Sequence, residues 1–545
     1  MNVSRWFGIV VIAAIAFGCG LRVTTLGDKL FYLDETFTQI RVAGYTTDEL
    51  QARLFDGRAR SVPVVRRYLA ASADRGSTAV VRSLAHEDAQ HPPLFYVLDR
   101  LVVRLLGESV VAWRAFALIC GLLAIGAAYW MGVELFGTRR AGALIAALAA
   151  MSPFCALYSQ QAREYAPWLA LTFAASAALV RARATGKLRW WAVYLVALLA
   201  GLYTALLFAF VLLAHAIFVA SDRRIDRRSL IAFGAGAIVA IAGFLPWVAV
   251  VIRSLGAVAA TNDWGSAPWS PLLLAAKLAF NVGTAFFDLE YAQPLTGIAL
   301  LGIAALVFAA VRWIFTDAPG AAARLLVPLT AAPVVVLVGS DLVLRHHHFT
   351  EARYFVPTIA GLIVAVGGYL AHARTERIGR RNEIFATALL LAAAASLFVG
   401  MPATIWWTNH QAGNVVPIAR ALDAQAAPLI ASTNLVEGFE LCIRLRPAAS
   451  IVFAERIVPA LIERANRPVF LLTPDAPTLA RLRADPVIRV EPVIATASDN
   501  AAVGGFRRLI GRPNAPAAAR IDLNQPTLWF AANRSVFPNA ALRTQ

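Results

Sequence analysis

The stretch FYLDETFTQI, residues 31–40, sets two carboxylates side by side, Asp34 and Glu35, in the company of Phe31, Tyr32 and Phe37. It follows the first apolar segment by only a few residues. Two ionised carboxylates so close to a membrane surface are costly unless a cation, a metal or a substrate proton compensates them. A purely structural use exists as well: Asp34 precedes ETFTQIRVAG and can cap a helix N-terminus.

Three further clusters have the residue types to act with this pair. HPPLFY (91–96) offers His91, which by itself reads as a surface turn residue. SQQAREY (159–165) gathers Gln160, Gln161, Arg163, Glu164 and Tyr165 at the end of an apolar run, where the arginine can pair with Glu164 or reach for headgroups. RHHHFTEARYF (345–355) brings Arg345, His346, His347, His348, Glu351, Arg353 and Tyr354 together between two apolar runs. Three consecutive histidines do not have the spacing of a closed zinc site; a basic patch for phosphate fits better.

The elements that must hold these residues are membrane helices. Of 545 residues, 59% are hydrophobic and 15% charged, well beyond the ~45–50% apolar share of soluble proteins. The net charge of +17 lies in short basic clusters between apolar runs, which argues for membrane anchoring and against nucleic acid. Cys19, Cys120, Cys155 and Cys442 form no metal or disulfide framework. The N-terminal apolar run reads as an uncleaved first helix. Spans of roughly 20 residues are expected near 5–22, 110–136, 141–158, 165–181, 229–252, 292–314, 324–344, 354–371 and 384–403.

Short arginine-rich segments, among them FGTRRAG (136–142), RARATGKLR (181–189) and SDRRIDRRS (221–229), belong on the cytoplasmic side. The run 190–220 must then cross twice, giving about eleven spans. All the polar clusters named above fall on the outer face. The first outer loop, 23–109, is expected to hold juxtamembrane helices, including an amphipathic one over 91–107 lying in the interface. The expectation is an all-α polytopic domain over 1–404 and, where the composition changes, a small α/β periplasmic domain over 405–545 that supports acceptor recognition or stability.

In combination, LDET, HPPLFYVL, LLGESVVAWRAFALICGLLA, ELFGTRRAGALIAALAAMSPFCALYSQQAREYA and ARYFVP resemble the C-type superfamily of membrane glycosyltransferases. The likeness is to bacterial relatives of dolichyl-phosphate-mannose-protein mannosyltransferases and of the lipid A aminoarabinose transferases. It covers about 30–180 and 345–360, and not the C-terminal part. The chain departs from the family where it has Gln161 and Ala205, at which Glu and His are frequent.

The resemblance implies a multi-pass protein of the bacterial inner membrane that takes a sugar from a polyprenyl-phosphate donor. It implies transfer to a lipid, glycan or protein acceptor on the periplasmic face, with the first-loop acid, Asp34 beside Glu35, essential. Asp34 would take the acceptor's proton. Arg163, Arg345 and Arg353, with His346, His347, His348 and Tyr354, would meet the phosphate. His91, Gln160, Gln161, Glu164 and Tyr165 would line the substrate. A divalent cation, Mg or Mn, held by Asp34 or Glu35 is compatible with the same chemistry. The rival expectation is a flippase or transporter of a lipid-linked or anionic substrate, which would call for ionisable groups within the spans and for repeated halves.

Overall fold

The computed structural model describes residues 5–256, 271–287, 296–344, 348–403, 415–465, 467–494 and 528–533. Long apolar runs become helices because an apolar surrounding offers backbone amides no other partner. Among the described residues, seven helices are long and apolar enough to cross a membrane: Arg5–Thr24, Val110–Phe136, Arg227–Arg253, Gly297–Thr316, Gly320–Leu344, Ala352–Ala371 and Glu376–Gly400. Shorter apolar helices cover Leu188–Thr204, Leu206–Ala220 and Leu274–Gly283. The helix Tyr165–Thr185 is largely buried and packs on Val110–Phe136 and Leu188–Thr204.

Two apolar runs are interrupted. The run 190–220 breaks at Ala205, whose extended backbone (φ −150°, ψ 133°) ends one helix before the next begins. The expected continuous helix over 141–158 is instead two pieces, Arg139–Met151 and Pro153–Tyr158. Pro153 has no N–H to continue the ladder, and Ser152 caps the second piece by accepting from the Cys155 amide. The carbonyls freed at the break are taken by Arg22 of the first helix, which donates to Ala149 O at 3.1 Å and to Ala150 O. Gly18 makes this crossing close enough, since a Cβ there would run into the Ala150 carbonyl.

The first loop folds into helices Leu33–Ala43, Thr47–Leu54, Val62–Arg66, Ser77–Glu87 and Leu94–Leu106. The last of these turns Phe95, Tyr96, Asp99, Arg100 and Val103 inward and leaves Leu101, Leu105 and Leu106 exposed. Arg100 then ties the loop together by donating to Val42 O at 2.5 Å and Ser72 O at 2.6 Å.

A six-stranded sheet forms from β1 (Arg60–Ser61), β2 (Leu429–Ser432), β3 (Ser450–Phe453), β4 (Val469–Leu472), β5 (Ile488–Ile494) and β6 (Leu528–Asn533), in the order β1-β3-β2-β4-β6-β5. Strands β2, β3 and β4 are parallel, with Leu435–Arg444 and Pro459–Glu463 between them in the chain. β1 belongs to the first loop and pairs antiparallel with β3, Arg60 opposite Ile451. The apolar residues Ile40, Leu50, Leu54, Val62 and Val65 of that loop share one core with Phe439, Ile451 and Phe453. The loop bearing Asp34 is therefore clamped between the membrane helices and the sheet.

Candidate active site

Helix Leu33–Ala43 begins with Tyr32 in the cap position, so Asp34 lies in its first turn and is not the N-cap. The positive end of the helix still favours its carboxylate there. Neighbours on a helix point about 100° apart, and the two acids accordingly face different surroundings. Asp34 keeps 24% of its side chain exposed and Glu35 none.

Glu35 is sealed in. Arg114 meets it with two parallel hydrogen bonds, Nε to Oε1 at 2.8 Å and Nη2 to Oε2 at 2.7 Å. The Ala162 amide donates to Oε1 at 2.9 Å. The rest of the guanidinium donates to the carbonyls of Leu26, Lys29 and Leu30, each at 3.0 Å. This bracket fixes the turn that leads into Asp34. Arg114 is the residue that sequence reading missed; an arginine in an apolar run, VVAWRAFALIC, was the signal available.

Asp34 faces two arginines. Arg353 Nη1 donates to Asp34 Oδ2 at 2.7 Å, and Arg163 Nη1 reaches the Asp34 carbonyl at 3.5 Å. The Tyr32 hydroxyl stands 3.2 Å from Asp34 Oδ2 and 3.3 Å from Gln161 Oε1. Burial by itself would raise the Asp34 carboxyl; Arg353, Arg163 and the Tyr32 hydrogen bond outweigh it and hold the group below the usual carboxylate range. Burial and the nearby Asp34 charge push the Tyr32 phenol well up, so it stays a neutral donor.

Around this centre, His91 Nδ1 lies 3.0 Å from Glu164 Oε1 and its Nε2 3.3 Å from Arg163 Nη2. Burial would raise the Glu164 carboxyl, but Arg163 and then His91 bring it down to about 2. Tyr165 packs beside Arg163, whose Cζ is 5.7 Å from its ring. Tyr354 lies against Arg353 at 5.5 Å, and Arg353 Nε is 3.6 Å from Glu351.

Two of the expected site residues have partners outside this centre. Gln160 is turned into the helix crossing, donating to Arg22 O at 3.0 Å and Thr25 Oγ1 at 2.8 Å. His348 Nδ1 is 2.9 Å from Asp341. Arg345, His346 and His347 lie outside the described residues.

Among the described residues, no three His, Cys, Asp or Glu side chains converge as a metal would require. Asp34 turns to Arg353 and Glu35 to Arg114. What the site offers is an ionised, accessible carboxylate beside fixed cations, suited to holding an anion and accepting a proton.

The dolichyl-phosphate-mannose-protein mannosyltransferase family pattern matches residues 90–249. No curated protein matches the chain. The crystal structure of ArnT from Cupriavidus metallidurans in the apo state superposes with a TM-score of 0.52 at 14% identity, covering 90% of this chain and 97% of ArnT. ArnT bound to undecaprenyl phosphate gives 0.53 at 13% identity with the same coverage. At that identity the likeness is one of fold. The segment matched by the family pattern contains His91, Arg114 and the turn from Gln160 to Tyr165, so the similarity in sequence falls on the part of the chain that lines the site.

Proposed function

We propose that the chain transfers a sugar from a polyprenyl-phosphate donor to an acceptor on the periplasmic face of a bacterial inner membrane, with Asp34 as general base. The observation that carries this reading is the accessible Asp34 carboxylate paired with Arg353, with Arg163 on the Asp34 backbone carbonyl beside it. The undecaprenyl phosphate bound by ArnT, which has the same fold, supports the donor class.

In the resting site Arg353 suppresses the basicity of Asp34. An arriving donor phosphate competes for that arginine, and a guanidinium pairs with phosphate in bidentate fashion. Once Arg353 moves to the phosphate, Asp34 loses its main counter-charge and its affinity for a proton rises. The carboxylate then takes the proton of the acceptor hydroxyl or amine as it attacks the anomeric carbon. Arg353 and Arg163 stabilise the departing phosphate. One displacement assisted by one base inverts the anomeric centre. Glu35, bound on both oxygens, holds the helix in place and does not touch substrate.

The test is consumption of a panel of polyprenyl-phosphate sugars by membranes carrying the wild type or Asp34→Asn, with membrane lipid and protein as acceptors. Use of one donor by the wild type and its sparing by the variant supports the reading. Loss of general-base catalysis costs about 10²–10⁴-fold. Should neither consume any donor while lipid-linked sugar changes leaflet in proteoliposomes, a flippase replaces the transferase.

A further inference from the structure

Asp341, 1% exposed, lies near the end of the helix Gly320–Leu344. A carboxylate at such a place is expensive unless it is fully engaged. Its two oxygens are divided: Oδ1 is 2.9 Å from His348 Nδ1, and Oδ2 accepts from the Phe349 amide at 2.7 Å. The Phe349 carbonyl in turn accepts from Asn281 Nδ2 at 2.9 Å. Asn281, 3% exposed, takes the Thr284 hydroxyl on its own carbonyl at 2.7 Å. The Thr284 carbonyl then accepts from the Phe154 amide at 2.9 Å.

Phe154 opens the short helix Pro153–Tyr158, directly before the turn that carries Arg163. Phe349 stands four residues before Arg353, across a tight turn closed by Glu351 N to His348 O at 3.1 Å and Tyr354 N to Glu351 O at 3.2 Å. One buried hydrogen-bonded chain thus joins the segments bearing the two arginines that face Asp34.

We propose that Asp341 and Asn281 are positioning residues, which fix the 348–353 segment so that Arg353 meets Asp34 and keep it in register with Arg163. They touch neither donor nor acceptor. The proposal rests on the transferase reading for its consequence in rate, and on geometry alone for the placement of Arg353. A shift of about 1 Å in such a group costs on the order of 100-fold in kcat/KM.

Two measurements test it. In a cysteine-free background carrying Asp34→Cys and Arg353→Cys, a short bifunctional thiol reagent reports how close the two segments lie. The cross-linking rate is expected to fall severalfold on adding Asp341→Ala or Asn281→Ala. It should be largely retained with Asp341→Asn, whose amide can still accept from Phe349 N and donate to a neutral His348.

In the transferase assay, Asp341→Ala should lower kcat/KM by about 100-fold alone, yet by less than about 2-fold when Arg353 is already alanine, because both changes remove one function. Losses that multiply in the double variant, or cross-linking that is unchanged, overturn the proposal. If the wild type transfers no sugar, the transferase reading fails by itself and cross-linking still decides the placement. Asn281→Ala, which leaves the buried carboxylate paired, serves if Asp341→Ala does not fold.

Discussion

Replacing Arg114 with methionine keeps the length and apolar stem of the side chain and deletes its guanidinium. A guanidinium has five N–H donors, and all five have partners here: two on Glu35 and one each on Leu26, Lys29 and Leu30 carbonyls. The variant leaves the Glu35 carboxylate, 0% exposed, with the Ala162 amide as its remaining strong donor. Orphaning one member of a buried ion pair costs roughly 3–5 kcal/mol, and each lost carbonyl bond adds up to about 1 kcal/mol. Partial relaxation of the 26–30 turn brings the expected loss to about 5 kcal/mol.

With an unfolding entropy of about 2 cal/mol/K per residue, a chain of 545 residues has roughly 1 kcal/mol/K, so the expected fall in Tm is about 5 °C. Glu35→Gln strands the Arg114 charge in the same place and should lose a comparable amount. Glu35→Leu combined with Arg114→Met should lose less than either single change, because no charge is left unpaired. Asp34→Asn, at an accessible position, should stay within about 1 kcal/mol of the wild type while losing transfer. Thermal unfolding in detergent, with hydrogen exchange of amides 26–36, checks all four. The reasoning is refuted if Arg114→Met unfolds and exchanges like the wild type, or if Asp34→Asn is as destabilised as Glu35→Gln.

Three further outcomes are expected. The Glu164 carboxyl is held at about 2 against an ordinary 4.5. A lowered carboxylate stabilises the fold above its unfolded value and loses that contribution as pH falls through the folded one. Tm should therefore drop between about pH 4.5 and 2, and Glu164→Gln should flatten that limb of a Tm-against-pH curve. His215, buried between Ser176 Oγ at 3.0 Å and Tyr194 OH at 3.2 Å, pins three helices; His215→Leu strands both hydroxyls and should cost about 2–4 kcal/mol by thermal unfolding. Lys29 Nζ donates to the carbonyls of Gly400, Met401 and Ala403 at 2.7, 2.9 and 3.1 Å. Lys29→Met should free that helix end at a cost of about 1–2 kcal/mol, seen as faster proteolysis after residue 400.

The membrane helices were legible because hydropathy over 20 residues reports directly on burial without water, and the polar clusters because few charges are tolerated near such runs. LDET, SQQAREY and ARYF, far apart in the chain, meet at Asp34, the contacting partners being separated by 129 and 319 positions in the sequence. Partner choice was less legible. Nothing local links Arg114 to Glu35, 79 residues away, or Asp341 to Phe349's amide. The two-residue strand β1 has no period to detect, and it exists because β3 offers it an edge. At Ser152 and Pro153 hydropathy continues through a break in the backbone ladder, and Arg22, far back in the chain, satisfies the carbonyls that make the break tolerable.

Asp34 and Glu35 are adjacent in the sequence, and adjacency alone does not tell their roles apart. On a helix, adjacent residues do not face each other, so a helix starting at Leu33 obliges the two carboxylates to diverge. One must point into the protein, where only a fully satisfied arginine makes an ion tolerable, and Arg114 is that partner. The other then points along the open side, where Arg353 and Arg163 wait. The buried acid costs no reactivity and fixes the helix; the accessible acid, one residue earlier, inherits a defined position from it. Moving the acidic pair one residue later would put both acids at fully buried positions, 35 and 36, which is why the helix start at Leu33 matters as much to the chemistry as the carboxylates themselves.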